Sequence, residues 1–281
     1  MSRLSIPKTY KLYIGGKFPR SESGRTYEVT SADGGFLANA SLASRKDARD
    51  AVVAARAAVS GWAGATAYNR GQVLYRVAEV LEGRRAQFVE ELAASEGVTP
   101  AVAGRQVDEA IDTWVWYAGW ADKFVQVAGS GNPVSGPYFN LSVPEPTGVV
   151  AIVAPQGEGS LLGLVQAVAP ALVAGNAVVV IASERHPLSA ISLAEVLATS
   201  DVPGGVVNIL TGSADELAPW LAGHMDVNAI DLTGVEGSTA ELERAATENV
   251  KRVVKSSPDA QSPYEIEAFL EHKTVWHPIG L

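Results

Sequence analysis

Hydrophobic and polar positions follow three regimes along the chain. Near the start, "YKLYIGGKF" alternates about Gly15 and Gly16 and predicts a short β-hairpin within residues 10–30. From Ser44 to Glu96 apolar residues recur three and four apart, which predicts two amphipathic helices. These are "SRKDARDAVVAARAAVSGWAG" and "NRGQVLYRVAEVLEGRRAQFVEELAAS", with Ser44 and Asn69 placed as N-caps. A third helix, "AVAGRQVDEAIDTWVWYAGWADKFVQ", carries Trp114, Trp116, Tyr117 and Trp120, which this pattern packs against neighbouring helices. "GSGNPVSGPYFNLSVPEPTG" then breaks the helical period. Its centre, "PYFNLSV", reads as a strand, and Pro144 and Pro146 predict that it avoids the middle of a sheet.

From Gly148 the pattern becomes strand–helix–strand–helix. The strands "GVVAIVAP", "NAVVVIA", "GVVNILTG" and "VNAIDLTG" are near-continuous apolar runs, as strands buried on both faces must be. The helices between them are "LLGLVQAVAPALVAG", "PLSAISLAEVLATS" and "ADELAPWLAGH". This alternation predicts an α/β fold with a doubly wound, mostly parallel sheet. "STAELERAATEN" and "VKRVVKS" add a last helix and strand, followed by the polar tether "SSPDAQSP" and the strand-like "HKTVW". The uncharged run Leu161 to Ala182 is long enough to span a bilayer. Pro170 and Gly175-Asn176 divide it into helix and strand, so it is read as core.

Composition narrows the classes. The 281 residues are 47% hydrophobic and 19% charged, an ordinary globular balance. A net charge of −9 disfavours nucleic acid or an anionic membrane as partner. The sequence holds no cysteine, which leaves no thiol nucleophile, disulfide or thiolate metal site within it. "MSRLSIPKTYKLYIGG" lacks the apolar core of a signal peptide, and a cytoplasmic location is expected. The four histidines match no metal-ligand spacing, and no G-x-S-x-G elbow occurs. "GEGSLLG" and "LTGSADE" are strand-to-helix turns whose N–H groups could hold a phosphate, but neither is a G-x-G-x-x-G fingerprint.

The runs "PALVAGNAVVV" and "VPGGVVNILTG", with "PTGVVAIVAP" before and "DLTG" after, resemble the cofactor-binding domain of the NAD(P)-dependent aldehyde dehydrogenase superfamily. Upstream, "LYIGGKF", Trp62, "NRGQVLYRVAEVLEGR" and "VWYAGWADK" are similar to that family's N-terminal helices, and "HKTVW" to the closing strand of its oligomerisation arm. The likeness runs from Tyr10 to about Val254 and resumes near Phe269. It implies a Rossmann-like NAD-binding domain over 1–130 and 148–255, a small β oligomerisation arm over 131–147 and 264–281, and a linker at 256–263 in place of the catalytic domain.

The resemblance also shows what has changed. The family's oxyanion asparagine gives way to Gln156, Gly157 and Glu158 in "APQGEGS", its general-base glutamate falls near Ser256, and its nucleophilic cysteine has no counterpart. Where the family has a ribose-binding lysine, this chain has Ile181. After Gly212 the family's spaced glycines are replaced by Ala214, Asp215 and Ala218, and Val235 stands where a serine follows Thr233 and Gly234. Pro155, Glu184, Gly212, Thr233 and Gly234 match the cofactor-binding pattern as its vestige, implying no cofactor or weak NAD(P) binding. Tyr138, Phe139, Leu141, Lys273, Val275 and Trp276 fall on the arm and are expected to serve assembly.

The reading implied is a non-catalytic subunit, similar to the degenerate second module of two-module family members. It would assemble with a catalytic aldehyde dehydrogenase or with copies of itself. The alternatives are an NAD(P)-dependent oxidoreductase acting on aldehydes and a nucleotide-sensing regulator. An apolar face left bare by the missing domain is a further expectation.

Overall fold

The computed structural model describes residues 8–255 and 261–280. The position near Ser256 and the linker residues 256–260 therefore lie outside the described residues. The chain opens with β1 (Thr9–Tyr10), β2 (Thr26–Thr30) and β3 (Phe36–Ser41), a small sheet in the order β1-β3-β2. The Gly15-Gly16 turn is present, with φ +61 and +77, but its hairpin is a single bridge between Ile14 and Lys17. Tyr13 instead exchanges both backbone hydrogen bonds with Ile209, at 2.9 and 2.7 Å. The extended hairpin is β2–β3, whose alternating "TYEVT" and "DGG" turn carry the usual signal further along.

Four helices follow. In α1 (Arg45–Gly64) a capping box forms: Asp47 N–H donates to Ser44 Oγ and Ser44 N–H donates to Asp47 Oδ2 at 2.8 Å. The predicted second helix is two, α2 (Ala67–Gly83) and α3 (Arg85–Glu96), broken where Arg84 leaves helical geometry at φ −110 and ψ 9. Thr66, not Asn69, caps α2: Asn69 lies inside the first turn and donates its N–H to Thr66 Oγ1 at 3.2 Å. In α4 (Pro100–Trp120), Trp114 and Tyr117 are fully buried while Trp116 and Trp120 pack from its flank, as expected of a packing face. The short α5 (Phe124–Ala128) leads into β4 (Ser130–Asn132) and β5 (Tyr138–Pro146).

The βα series then runs β6 (Val149–Val153), α6 (Ser160–Val173), β7 (Ala177–Ile181), α7 (Leu188–Ala198), β8 (Val207–Leu210), α8 (Ala214–Gly223), β9 (Ala229–Asp231), α9 (Ala240–Thr247) and β10 (Arg252–Val254). All five strands are parallel, in the order β10-β9-β6-β7-β8. Alternate residues feed two cores. Val150, Ile152, Val178 and Val180 pack toward α2, α3, α4, α6 and α7, while Ala151, Val153, Val179 and Ile181 pack toward α1 and α8. Burial on both faces is why these strands read as unbroken apolar runs. The run from Leu161 to Ala182 is α6 and β7, and among the described residues no helix is long and apolar enough to cross a membrane.

After β10 the chain forms α10 (Pro263–Glu267) and β11 (Leu270–Pro278), the latter antiparallel to β5 from Leu270↔Pro146 to Pro278↔Tyr138. The third sheet has the order β11-β5-β4, so β5 is central, contrary to the expectation from its prolines. The reason is local. β4 reaches only Asn140, Leu141 and Ser142, and Pro144 and Pro146 share their alternation with Asn140 and Ser142. Their missing N–H groups therefore point to the side β4 has already left, and no ladder bond to β11 is lost.

Candidate functional site

Order reversal in the parallel sheet occurs between β6 and β9: β7 and β8 lie to one side of β6, β9 and β10 to the other. Loops that leave such a point diverge and open a crevice at the strands' C-terminal ends. Here the crevice is a cleft of about 870 Å³ between the loops after β6, β7 and β9 and the first turns of α8 and α9. Its apolar lining is made by Ala214, Ala218, Pro219, Val235, Leu242 and Ala245.

Of the five residues matched to the cofactor-binding pattern, Glu184 and Gly234 line this cleft. Gly234 is required by the chain itself, because a Cβ there would stand 2.1 Å from Ala154 O, while its N–H donates to Val153 O at 3.0 Å. Pro155 packs under the first turn of α6, where a Cβ on Gly163 would meet its ring at 2.8 Å. Gly212, at φ +130, turns the chain against Leu42 and Ala43. Thr233 donates both N–H and Oγ1–H to Asp231 Oδ1, at 2.9 and 2.6 Å. Pro155, Gly212 and Thr233 thus hold the loops rather than face the cleft.

Gln156 closes on its own surroundings. Its Nε2 donates to Ala154 O at 2.6 Å, its Oε1 accepts from Glu184 N–H at 2.9 Å, and its carbonyl accepts from Ser183 Oγ at 3.0 Å. The amide that stands in the turn after β6 is tied to the turn after β7. Ile181, at the end of β7, is fully buried and offers the cleft no side-chain donor. Glu158 is exposed and is not part of the cleft wall.

The charge of the site is carboxylate. Among the described residues, Glu184, Asp215, Glu236 and Glu241 line the cleft against one cation, Arg185, which is ion-paired with Glu236. Asp215 and Glu216 occupy the first turn of α8, and Glu241 and Glu243 that of α9. Each helix N-terminus, ordinarily attractive to an anion, is met by carboxylates of its own. The Lys255 ammonium and the Thr239 hydroxyl hold the Glu243 carboxyl below its ordinary range, so it stays charged at neutral pH. The N-terminus of α6 is likewise taken: Glu96 accepts from Gly159 N–H at 2.8 Å, Ser160 N–H at 3.0 Å and Ser160 Oγ at 2.7 Å. Sequence reasoning missed Glu96 because its partners are more than sixty positions away.

Asp231 was also missed, although a lone carboxylate in "VNAIDLTG" is itself a signal. It is fully buried, with Oδ2 lacking a hydrogen-bond partner. Burial pushes its carboxyl up from 3.8 to about 6, Glu265 adding to the rise and the Thr233 bonds opposing it. Because the folded pKa is the higher, folding takes up a proton between about pH 4 and 6, and stability falls as pH rises through that window. Asp231→Asn, which keeps an acceptor for Thr233, is expected to stabilise the protein by about 2 kcal/mol at neutral pH and by nothing near pH 4. Urea denaturation at the two pH values checks this.

A model of the aldehyde dehydrogenase family matches residues 18–256 of the chain. The chain belongs to the aldehyde dehydrogenase family. Cytosolic 10-formyltetrahydrofolate dehydrogenase of Mus musculus is 34% identical over 262 residues, which are 90% of this chain and 29% of that protein. Retinal dehydrogenase 2 of Homo sapiens is 34% identical over 253 residues, covering 88% of this chain and 48% of the relative. Among solved structures, the NAD+ complex of an aldehyde dehydrogenase from Bacillus cereus is similar with TM-score 0.80 and 28% identity, over 88% of this chain and 50% of that one. The chain therefore spans half or less of the length of these aldehyde dehydrogenase relatives. The likeness fixes the parallel sheet as this family's Rossmann-like NAD-binding fold.

The six arm residues lie together on β5 and β11. Leu141 opposes Val275, Phe139 opposes His277, and the Tyr138 and Trp276 rings meet edge to face with centroids 5.7 Å apart. Lys273 Nζ reaches both carboxylate oxygens of Glu145 at 3.1 Å. Phe139 and Trp276 are more than half exposed, at 56% and 57%.

Proposed function

We propose that this chain is a non-catalytic aldehyde dehydrogenase subunit that works by assembly, with a catalytic relative or with further copies of itself. The observation that carries this reading is the direct passage from the parallel sheet to the arm. β10 ends at Val254 and β11 begins at Leu270, so the fifteen residues 255–269 stand where the family resemblance places a thiol-bearing catalytic domain. Nothing in the 281 residues supplies a thiol. The Gln156 side-chain amide in the turn after β6 is engaged by Ala154 O and Glu184 N–H, and the cleft's carboxylates would oppose developing negative charge.

What the chain retains suits assembly. Every residue of β11 after Leu270 is exposed, and among the described residues β11 is an edge strand paired on one side only, with β5. A long exposed edge carrying Val275 and Trp276 is a surface that strand addition from a partner would complete. The relatives named as cytosolic support a cytoplasmic location.

A second reading, a dinucleotide oxidoreductase or nucleotide sensor, is favoured by the cleft at the switch point and the likeness to an NAD+ complex. An NAD+ pyrophosphate fits the residues present poorly, because among the described residues the one cation in the wall, Arg185, is paired and the adjoining helix ends carry carboxylates. The purified chain, given NAD+ and a panel of aldehydes, is expected to form no NADH. Turnover that persists through repeated purification would sink the non-catalytic reading.

A further inference from the structure

We propose that Asp231 is a proton-operated latch beneath α10. With its carboxyl neutral, the segment from Ser262 to Leu270 stays seated on the sheet. With it ionised beside Glu265, that segment opens ahead of the rest of the fold. The latch belongs to the fold and holds whether or not the chain is catalytic; the assembly reading above gives it a use, because this segment anchors the arm. Two features of the geometry carry it. The first is an uncompensated carboxyl. Asp231 ends β9 and is fully buried, with apolar Ile152 and Val254 beside it on β6 and β10. Its Oδ1 accepts both Thr233 bonds, whereas its Oδ2 has no hydrogen-bond partner among the described residues. The proton of the neutral form therefore sits on Oδ2, and its loss strands a charge away from water. Glu96 is the contrasting case, since its buried carboxylate meets three donors at the start of α6.

The second is what α10 brings over it. Glu265 of α10 acts electrostatically on Asp231 and on the Tyr117 hydroxyl of α4. The cations of β10 and its end are committed elsewhere, Arg252 to Glu271 and Lys255 to Glu243. Tyr117 is also bonded to the Ser262 backbone at the start of α10, and Ile266, Phe269 and Leu270 complete the seat as buried residues. Seating this segment thus shuts one carboxyl away from water beneath another, and unseating it hydrates both. Burial, with Glu265 adding to it, raises the Asp231 carboxyl from 3.8 to about 6. The closed form therefore keeps a proton that the open form gives up. Opening gains as pH rises between about 4 and 6 and levels off above that window.

Hydrogen exchange on the full chain, read over peptides spanning 262–270 and corrected for the pH dependence of the exchange chemistry, tests the latch. Opening of this segment is expected to rise about tenfold from about pH 5 to about pH 7 in the unaltered chain. In Asp231→Asn, which keeps the acceptor for Thr233 and cannot ionise, the rise should vanish. Glu265→Gln changes a partly buried side chain on α10 and should lower opening at pH 7 by about threefold, so it carries the test should the first variant fail to fold. The amides of β6 and β7 should respond less than those of α10. Opening that ignores pH, a rise that persists in Asp231→Asn, or an equal rise in β6 and β7 would each overturn the proposal. Failure of the non-catalytic reading is separate, since it is read as NADH formation and not as exchange.

Discussion

Asn176→Ala is expected to lower the unfolding free energy by about 2–4 kcal/mol, as much as a large core truncation and well above a typical surface substitution. Asn176 is fully buried at the turn from α6 into β7. Its Oδ1 accepts from Gly148 N–H at 2.8 Å, and its Nδ2 donates to Ala171 O and to Phe269 O, each at 3.0 Å. One side chain thus joins the end of α6, the approach to β6 and the junction between α10 and β11. Alanine leaves three backbone groups without that partner in a site with little access to water, and each such loss costs about 1–3 kcal/mol. Thr147 N–H still reaches Phe269 O at 3.2 Å and the backbone N–H of residue 176 still reaches Ala171 O at 3.2 Å, so the heaviest loss falls on Gly148 N–H. A denaturation midpoint corresponding to a loss under about 1 kcal/mol would contradict the role assigned to Asn176.

The second large effect separates the fold from the arm. Shortening the chain after Ser262 removes Ile266, Phe269 and Leu270, all essentially fully buried. The expected cost exceeds about 5 kcal/mol, from lost burial and from stranding Asn176, and the shortened chain should unfold or aggregate. Shortening after Leu270 removes only exposed positions among the described residues, and should leave the unfolding free energy within about 1 kcal/mol. The contrast arises because α10 is not a tether. Ser262 caps it, and Ile266 and Phe269 join the larger core beside α6. Equal stability of the two shortened chains would overturn this placement of α10.

Much of this fold is legible in the sequence because it is local. Parallel strands buried on both faces must be continuous apolar runs, and β6 to β9 are. Ser44 with Asp47 makes a capping box visible three residues apart. The split at Arg84 was not legible, since the helical period continues through it. Pro263 and Ser262 could have announced α10, but the polar run around them reads equally as a tether.

The site divides in the same way. All five residues were picked out by the family resemblance; Glu184 and Gly234 line the cleft, whereas Pro155, Gly212 and Thr233 occupy loop positions that shape it without lining it. The Arg185–Glu236 pair and the Glu96 cap join residues 51 and more than 60 positions apart, so no local pattern announces them. Charge was legible as the overall excess of acid and as Asp215 at the turn after Gly212. Its concentration around one cleft is a product of the βα order, which brings the first turns of α8 and α9 to the same edge.

The central claim is assembly without catalysis, and the native mass of the tagged full chain, purified from its own cells and weighed by light scattering, tests it most directly. The account predicts a complex well above the 29.4 kDa of one chain, built of further copies or of a cysteine-bearing family member, and reduced in mass when the chain is shortened after Leu270. A single 29.4 kDa species with no family partner, or a complex whose mass that cut leaves unchanged, would contradict it.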